Sequence, residues 1–238
     1  CNFPAPVGDN PSLLSFENAV TLFHEFGHAM HGILTNVTYG SMAGTSGPRD
    51  FIELPSQLLE HWVSEPEVLK SFAFHYESGE SIKDELIKKI LKAAKFNQGF
   101  INTEYLAASF LDMDWHTLSA KDAKNIPNNF EIKSMSKIGL IDEIAPRYRS
   151  TYFAHIFSGG YSSGYYSYIH SAVLDSDAFE AFKETGDIFN PKLSSKLREH
   201  IYEKGSTEDA MDLFVKFRGR KPIIAPLLEV RGLDGSSE

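Results

Sequence analysis

Apolar residues recur at helical spacing along nearly the whole chain. Phe16, Val20, Phe23, Met30 and Leu34 mark one stripe of a helix that opens after Ser15, a suitable N-cap, in a stretch without proline between residues 12 and 47. A proline-rich entry (Pro4, Pro6, Pro11) precedes this helix. A glycine-rich loop around Gly40, Gly44 and Gly47 follows it, and within that loop residues 39–42 are predicted to form a short edge strand. Amphipathic helices are predicted over 81–97, with Ser81 and Asp84 as a capping box, and over 100–118. The polar stretch 120–129 reads as a loop, and further helices are predicted near 165–183, 190–204 and 207–217. The fold class is therefore mainly α, with at most the one strand. Lys83, Lys88, Lys89, Lys92 and Lys95 read as the solvated face of their helix.

The first helix carries His24-Glu25-Phe26-Gly27-His28. Residues four apart lie one turn apart on the same face, so His24 and His28 can share one zinc ion. Glu25 falls about 100° around the axis from His24 but about 60° from His28, which keeps it beside the metal as a base candidate. The apolar stripe predicts a buried helix, and buried imidazoles need a partner, for which a metal is the natural choice.

A hydrolytic zinc takes three protein ligands and leaves one position open. His31 is seven residues from His24, about 10.5 Å along the axis, and out of reach; it reads as a helix histidine bonded to backbone or solvent. A metzincin would need glycine three residues after His28 and histidine three beyond that, but those positions hold His31 and Leu34. Acidic candidates occur in Asp50-Phe51-Ile52-Glu53-Leu54-Pro55-Ser56-Gln57-Leu58-Leu59-Glu60, where Glu53 and Glu60 are seven apart and share a face. Either could coordinate while the other orients a ligand imidazole, and spacing does not choose between them. Pro55 must sit in the first turn of this helix or kink it, which puts Glu53 at or near the helix start.

Three motifs in order, residues 24–32 (HEFGHAMHG), 48–57 (PRDFIELPSQ) and 155–168 (HIFSGGYSSGYYSY), resemble the thimet oligopeptidase and neurolysin family of zinc peptidases. The runs Arg147-Tyr148-Arg149-Ser150 and Phe217-Arg218-Gly219-Arg220 resemble its bacterial peptidyl-dipeptidase branch. The resemblance implies Glu53 as third zinc ligand, Glu25 as general base, Glu60 as a supporting residue, and His155, Tyr161, Tyr165 and Tyr168 as residues lining the substrate cleft, one or more tyrosines stabilising the transition state. It implies short peptides as substrates, cut by removal of C-terminal dipeptides or by endo-acting hydrolysis. It also implies that residues 1–238 are a single catalytic domain from the C-terminal part of a longer, two-lobed protein whose N-terminal lobe is missing here, with apolar surface left exposed where that lobe docks. Where thermolysin-type enzymes place an aspartate to orient a ligand histidine, this chain has Gln57, a weaker acceptor.

The tyrosine segment is chemically sensible without any resemblance, because a phenol stays protonated at working pH and can donate to an oxyanion. Tyr161, Tyr165 and Tyr168 form one stripe if helical, and Gly159, Gly160 and Gly164 suggest that the stripe begins in a mobile loop able to close over a substrate. A peptidyl-dipeptidase must also hold a free C-terminal carboxylate; Arg49, Arg147 and Arg149 are candidates, set against roles in ordinary ion pairs.

Composition narrows the alternatives. A net charge of −9 without a long basic stretch argues against nucleic acid as a partner. The single cysteine, Cys1, lies far from the histidines and excludes both an internal disulfide framework and a thiol-based site at the motif. It also disfavours a non-catalytic zinc staple, which usually closes all four positions, often with cysteine. No apolar run is long enough to span a membrane, and a cytoplasmic location is the expectation.

Overall fold

The computed structural model describes residues 1–9 and 11–235. In chain order the helices are α1 (Phe16–Ile33), α2 (Arg49–Ile52), α3 (Leu54–Val63), α4 (Pro66–Phe72), α5 (Asp84–Ala94), α6 (Gln98–His116), α7 (Phe130–Lys137), α8 (Ala154–Phe157), α9 (Ser167–Glu184), α10 (Pro191–Leu197), α11 (Ala210–Arg218) and α12 (Ala225–Arg231). Among the described residues there is no extended strand, and no helix is long and apolar enough to cross a membrane. The mainly α expectation therefore holds.

The chain divides into two compact units, one made of residues 1–96 and 170–238, the other of residues 97–169. In the first, Leu54, Leu58 and Trp62 of α3 pack with Phe179 and Phe182 of α9 and with Leu213, Phe214 and Phe217 of α11. Each large apolar side chain buried this way contributes about 1.5–3 kcal/mol. Polar ties supplement the apolar ones. Buried Asp177 accepts from Arg218 Nε at 3.1 Å and from Arg220 Nη1 at 2.6 Å, joining α9 to the end of α11. His61 Nε2 lies 2.6 Å from Asp175 while its ring stacks on Phe179, which fixes α3 on α9. Burial raises the Asp175 carboxyl above the usual range, an effect that His61 opposes.

Several local expectations are corrected. Residues 39–42 form a 3₁₀ turn (Gly40–Met42) instead of a strand, because Met42 N–H bonds back to Tyr39 O at 2.9 Å while Met42 O accepts from Ser206 N–H at 2.9 Å. Ser81 does not cap α5. It pairs with Phe74 in an isolated antiparallel bridge, and the helix starts after Lys83 without a side-chain cap. The lysines of α5 are solvent-exposed as expected, with Ile87 buried on the opposite side. The helix expected over 190–204 is α10 continued by a π turn, Arg198–Tyr202, and α11 starts at Ala210, where Asp209 accepts from the Met211 and Asp212 N–H groups.

In the second unit, Ala107 and Leu111 of α6 pack with Met135 of α7. A second cluster gathers Ala108, Phe153, Ile156 and Tyr165, with Tyr105, Tyr148, Tyr161 and Tyr168 against it.

Candidate functional site

The α1 helix starts as its sequence suggests. The Ser15 hydroxyl accepts from Asn18 N–H and the Asn18 side chain returns the bond to Ser15 N–H, satisfying two otherwise orphaned donors. The helix is not buried all round, however. Of its residues only Gly27 and His31 are fully buried, while Phe23, Met30 and Leu34 pack partly on the core and Leu22, Phe26 and Ile33 are exposed.

Gly27 sits where α1 meets α3. A Cβ there would overlap the Pro55 carbonyl and come within 2.5 Å of Ser56 Cα, so only glycine lets the two backbones touch. Glu53 bridges α2 and α3 as the last cap of one and the first of the other, and Pro55 lies in the first turn of α3, as its missing N–H requires. The N-terminal end of α2 is tied down by Asp50 O, which accepts from Ser171 Oγ at 3.1 Å and lies 3.0 Å from His170 Nδ1.

This packing brings the Glu53 carboxylate between the two histidines. Glu53 Oε2 is 3.5 Å from His24 Nε2 and 3.3 Å from His28 Nε2. Ligand atoms set about 2.0–2.1 Å from a common tetrahedral centre lie about 3.3 Å apart, so these separations fit one zinc-sized ion. One donor atom from each of the three residues falls within 4.8 Å of the others, and no such trio other than His24, His28 and Glu53 occurs among the described residues. Glu53 is 3% exposed, and Ser56 Oγ donates to its Oε2 at 3.1 Å, which orients the carboxylate. Seryl support at that position escaped sequence reasoning, although a serine three residues after the acid is the local signal for it.

The second acid takes the supporting place. Glu60 Oε1 lies 2.6 Å from His24 Nδ1, leaving Nε2 to face the Glu53 oxygen. Burial works against charge on His24, but the Glu60 hydrogen bond and the charges of Glu60, Glu53 and Glu25 outweigh it and hold the imidazole above its usual pKa. Gln57 does not take the matching place at the other imidazole: His28 Nδ1 is buried without a hydrogen-bond partner among the described residues. Glu25 is exposed on the same helix.

His31 departs from expectation. It is 1% exposed, its ring meets Tyr202 edge-on at 6.2 Å, and neither ring nitrogen has a hydrogen-bond partner among the described residues. The backbone bond expected of it is therefore not made among the described residues. Burial, with a smaller contribution from His28, pushes its pKa down to about 4.

The aromatic residues lie in the second unit and are not one helical stripe. Only Tyr168 is on α9, which begins at Ser167; Tyr161 and Tyr165 belong to the preceding loop. Gly160 at φ +80° and Ser163 at φ +53° turn that loop. Buried Asp112 of α6 accepts from Ser163 N–H at 3.0 Å and Tyr165 N–H at 2.9 Å, anchoring a segment expected to be mobile. Tyr161 stacks on Tyr168 with centroids 5.3 Å apart, and His155 stands edge-on to both. Tyr165 is 3% exposed, stacks on Tyr105 and has Arg147 beside its hydroxyl. Burial, partly offset by Arg147, raises its phenol pKa, whereas burial and the Arg147 charge lower that of His155. Arg147 pairs with Glu104 at 3.5 Å and Arg149 with Glu131.

The chain is similar over nearly its whole length to known proteins. A profile of Peptidase family M3 matches residues 1–233. The chain is 41% identical over 235 residues to a dipeptidyl carboxypeptidase of Escherichia coli strain K12, covering 98% of this chain and 34% of the relative. It is 39% identical to oligopeptidase A of the same organism, covering 99% of this chain and 35% of the relative. An organellar oligopeptidase A of Arabidopsis thaliana is 38% identical, with 100% of this chain and 30% of the relative covered. The chain thus spans about a third of the length of the relatives it matches. An HExxH helix, a glutamate brought between its two histidines and a family match over residues 1–233 lead to one assignment: the chain belongs to Peptidase family M3.

Proposed function

We propose that this chain is the catalytic part of a zinc peptidase acting on short peptides, with His24, His28 and Glu53 as metal ligands and Glu25 as general base. The observation that carries the proposal is the position of Glu53 Oε2, within 3.5 Å of both imidazoles. When bound, zinc supplies Lewis acidity, polarising a carbonyl and lowering the pKa of water towards about 7. Glu25 takes the proton from the attacking water and returns it to the leaving amine. Glu60 holds His24 in orientation for coordination.

Donors for the developing oxyanion are proposed among Tyr161, Tyr165, Tyr168 and His155. The raised pKa of Tyr165 keeps its phenol protonated, and the lowered pKa of His155 leaves a neutral imidazole with one N–H donor near pH 7. Support for removal of C-terminal dipeptides comes from the name of the E. coli relative at 41% identity. An endo-acting mode is supported by the oligopeptidase A relatives and by the engagement of Arg147 and Arg149 with Glu104 and Glu131 instead of an open cationic site. The length of the relatives supports the further reading that an N-terminal lobe completes the enzyme, and the single cysteine supports a cytoplasmic one.

The test is mass mapping of products from one peptide series carrying free or amidated C-termini, using this chain joined to the remainder of a family M3 enzyme. Dipeptide release from free C-termini alone supports the dipeptidase mode, equal cleavage of both forms supports the endo-acting mode, and no hydrolysis of either contradicts the peptidase reading.

A further inference from the structure

A groove of about 780 Å³ runs along the first unit, walled by Phe23, Phe26 and Met30 of α1, by Trp62 of α3, by Phe182 of α9 and by Phe189. Phe26 and Phe189 are each 54% exposed, so large aromatic surface stands in water. Folded chains rarely leave a contiguous apolar surface of this kind uncovered unless it meets a partner.

The groove is not part of the candidate metal site. At 100° per residue, Phe23, Phe26, Met30 and Leu34 centre about 135° around α1 from the midpoint of His24 and His28. None of the three metal-site residues lines the groove. A peptide held for hydrolysis at the metal would therefore approach a different side of α1. Polar residues stand among the apolar walls: Glu67, Arg198, which pairs with Glu203 at 2.7 Å, and the exposed Ser71 and Ser194, whose hydroxyls donate to Val68 O and Asn190 O. An apolar trough with a mixed polar lining suits an amphipathic helix, whose apolar stripe would enter while its charged flanks met Glu67 and Arg198.

What supplies that helix follows from length. The matched relatives carry about two-thirds of their residues outside the segment that this chain represents. We infer that the groove seats an amphipathic helix from that remaining part of the same polypeptide, so that the back of the metal-binding helix is covered by the chain's own missing portion. The inference rests on the proposal that this chain is the catalytic part of a longer peptidase.

The test is a chimera in which this chain replaces the matched third of the E. coli dipeptidyl carboxypeptidase. In a Cys1→Ser background, Ser71→Cys and Ser194→Cys place thiols in the groove, and Lys89→Cys places one on the exposed face of α5. Maleimide labelling at each position is followed by mass spectrometry in the native chimera and in the same chimera unfolded in guanidinium. Protection of the groove thiols by about 100-fold or more, with the α5 thiol much less protected, is expected. Groove thiols that react natively as fast as the α5 thiol overturn the inference. So does protection already present in the isolated chain that rises with concentration and accompanies a doubled mass, because the occupant is then a second copy. Peptidase activity measured alongside separates the two readings: an active chimera with a reactive groove removes this inference alone, whereas an inactive chimera with a protected groove removes only the catalytic proposal.

Discussion

Gly27 and Pro55 meet without a side chain between them, and that contact sets how close Glu53 comes to the paired histidines. A Cβ at position 27 would overlap the Pro55 carbonyl and lie 2.5 Å from Ser56 Cα. Backbone, unlike the end of a long side chain, has little room to give.

Gly27→Ala is therefore expected to push α3 away from α1. Better helix propensity would favour alanine by roughly 0.5–1 kcal/mol, but overpacking costs about 1–3 kcal/mol and is expected to win. Denaturant unfolding should register the loss, and zinc affinity should fall by about 10-fold or more as Glu53 retreats. A variant of unchanged metal affinity and equal or higher stability would contradict this role for the glycine.

Glu60 holds the Nδ1 edge of His24 from 2.6 Å. Replacing it by glutamine keeps the size and removes the charge, so Glu60→Gln should weaken zinc binding by about 10–100-fold while leaving one ion per chain at saturation. Competition titration against a chelator measures this; an affinity equal to that of the parent would show that the carboxylate does not support the ligand.

His31 makes stability sensitive to acid. Its folded pKa of about 4 lies below the unfolded value of 6.5, so between those values the unfolded chain binds more protons and stability falls as pH drops. Well above pH 6.5 the effect fades out. Between pH 7 and pH 5 the expected loss from this residue is about 2 kcal/mol. Urea unfolding at the two pH values, compared for the parent and His31→Phe, should show the smaller loss in the variant; equal losses would mean that His31 gains its proton within the fold.

Much of the candidate metal site's local structure was legible because its signals are local. Two histidines one turn apart, a serine cap and a proline fixing the start of α3 each act within a few residues. The choice between Glu53 and Glu60 was not legible from spacing, since seven residues put both on one face and only the approach of α1 distinguishes them. Gly27 carried no periodic signal, because its role depends on a backbone 28 residues away in sequence. The loop expected at the start of the tyrosine segment is present, but what holds it was not legible for a similar reason: Asp112, more than 50 residues earlier, captures the N–H groups of Ser163 and Tyr165. Residues 39–42 likewise depend on the distant Ser206, which takes the carbonyl that a strand neighbour would have used.

Metal content measured together with turnover tests the whole account most directly. Purified parent chain, Glu53→Gln and Glu25→Gln should be dialysed against zinc, assayed by elemental analysis and titrated for affinity, with hydrolysis measured in the chimeric enzyme. One zinc ion is expected in the parent and in Glu25→Gln, with hydrolysis reduced by about 10²–10⁴-fold in the latter, while Glu53→Gln should lose both the ion and the activity. Retention of the ion by Glu53→Gln at parental affinity, or undiminished hydrolysis by Glu25→Gln, would contradict it.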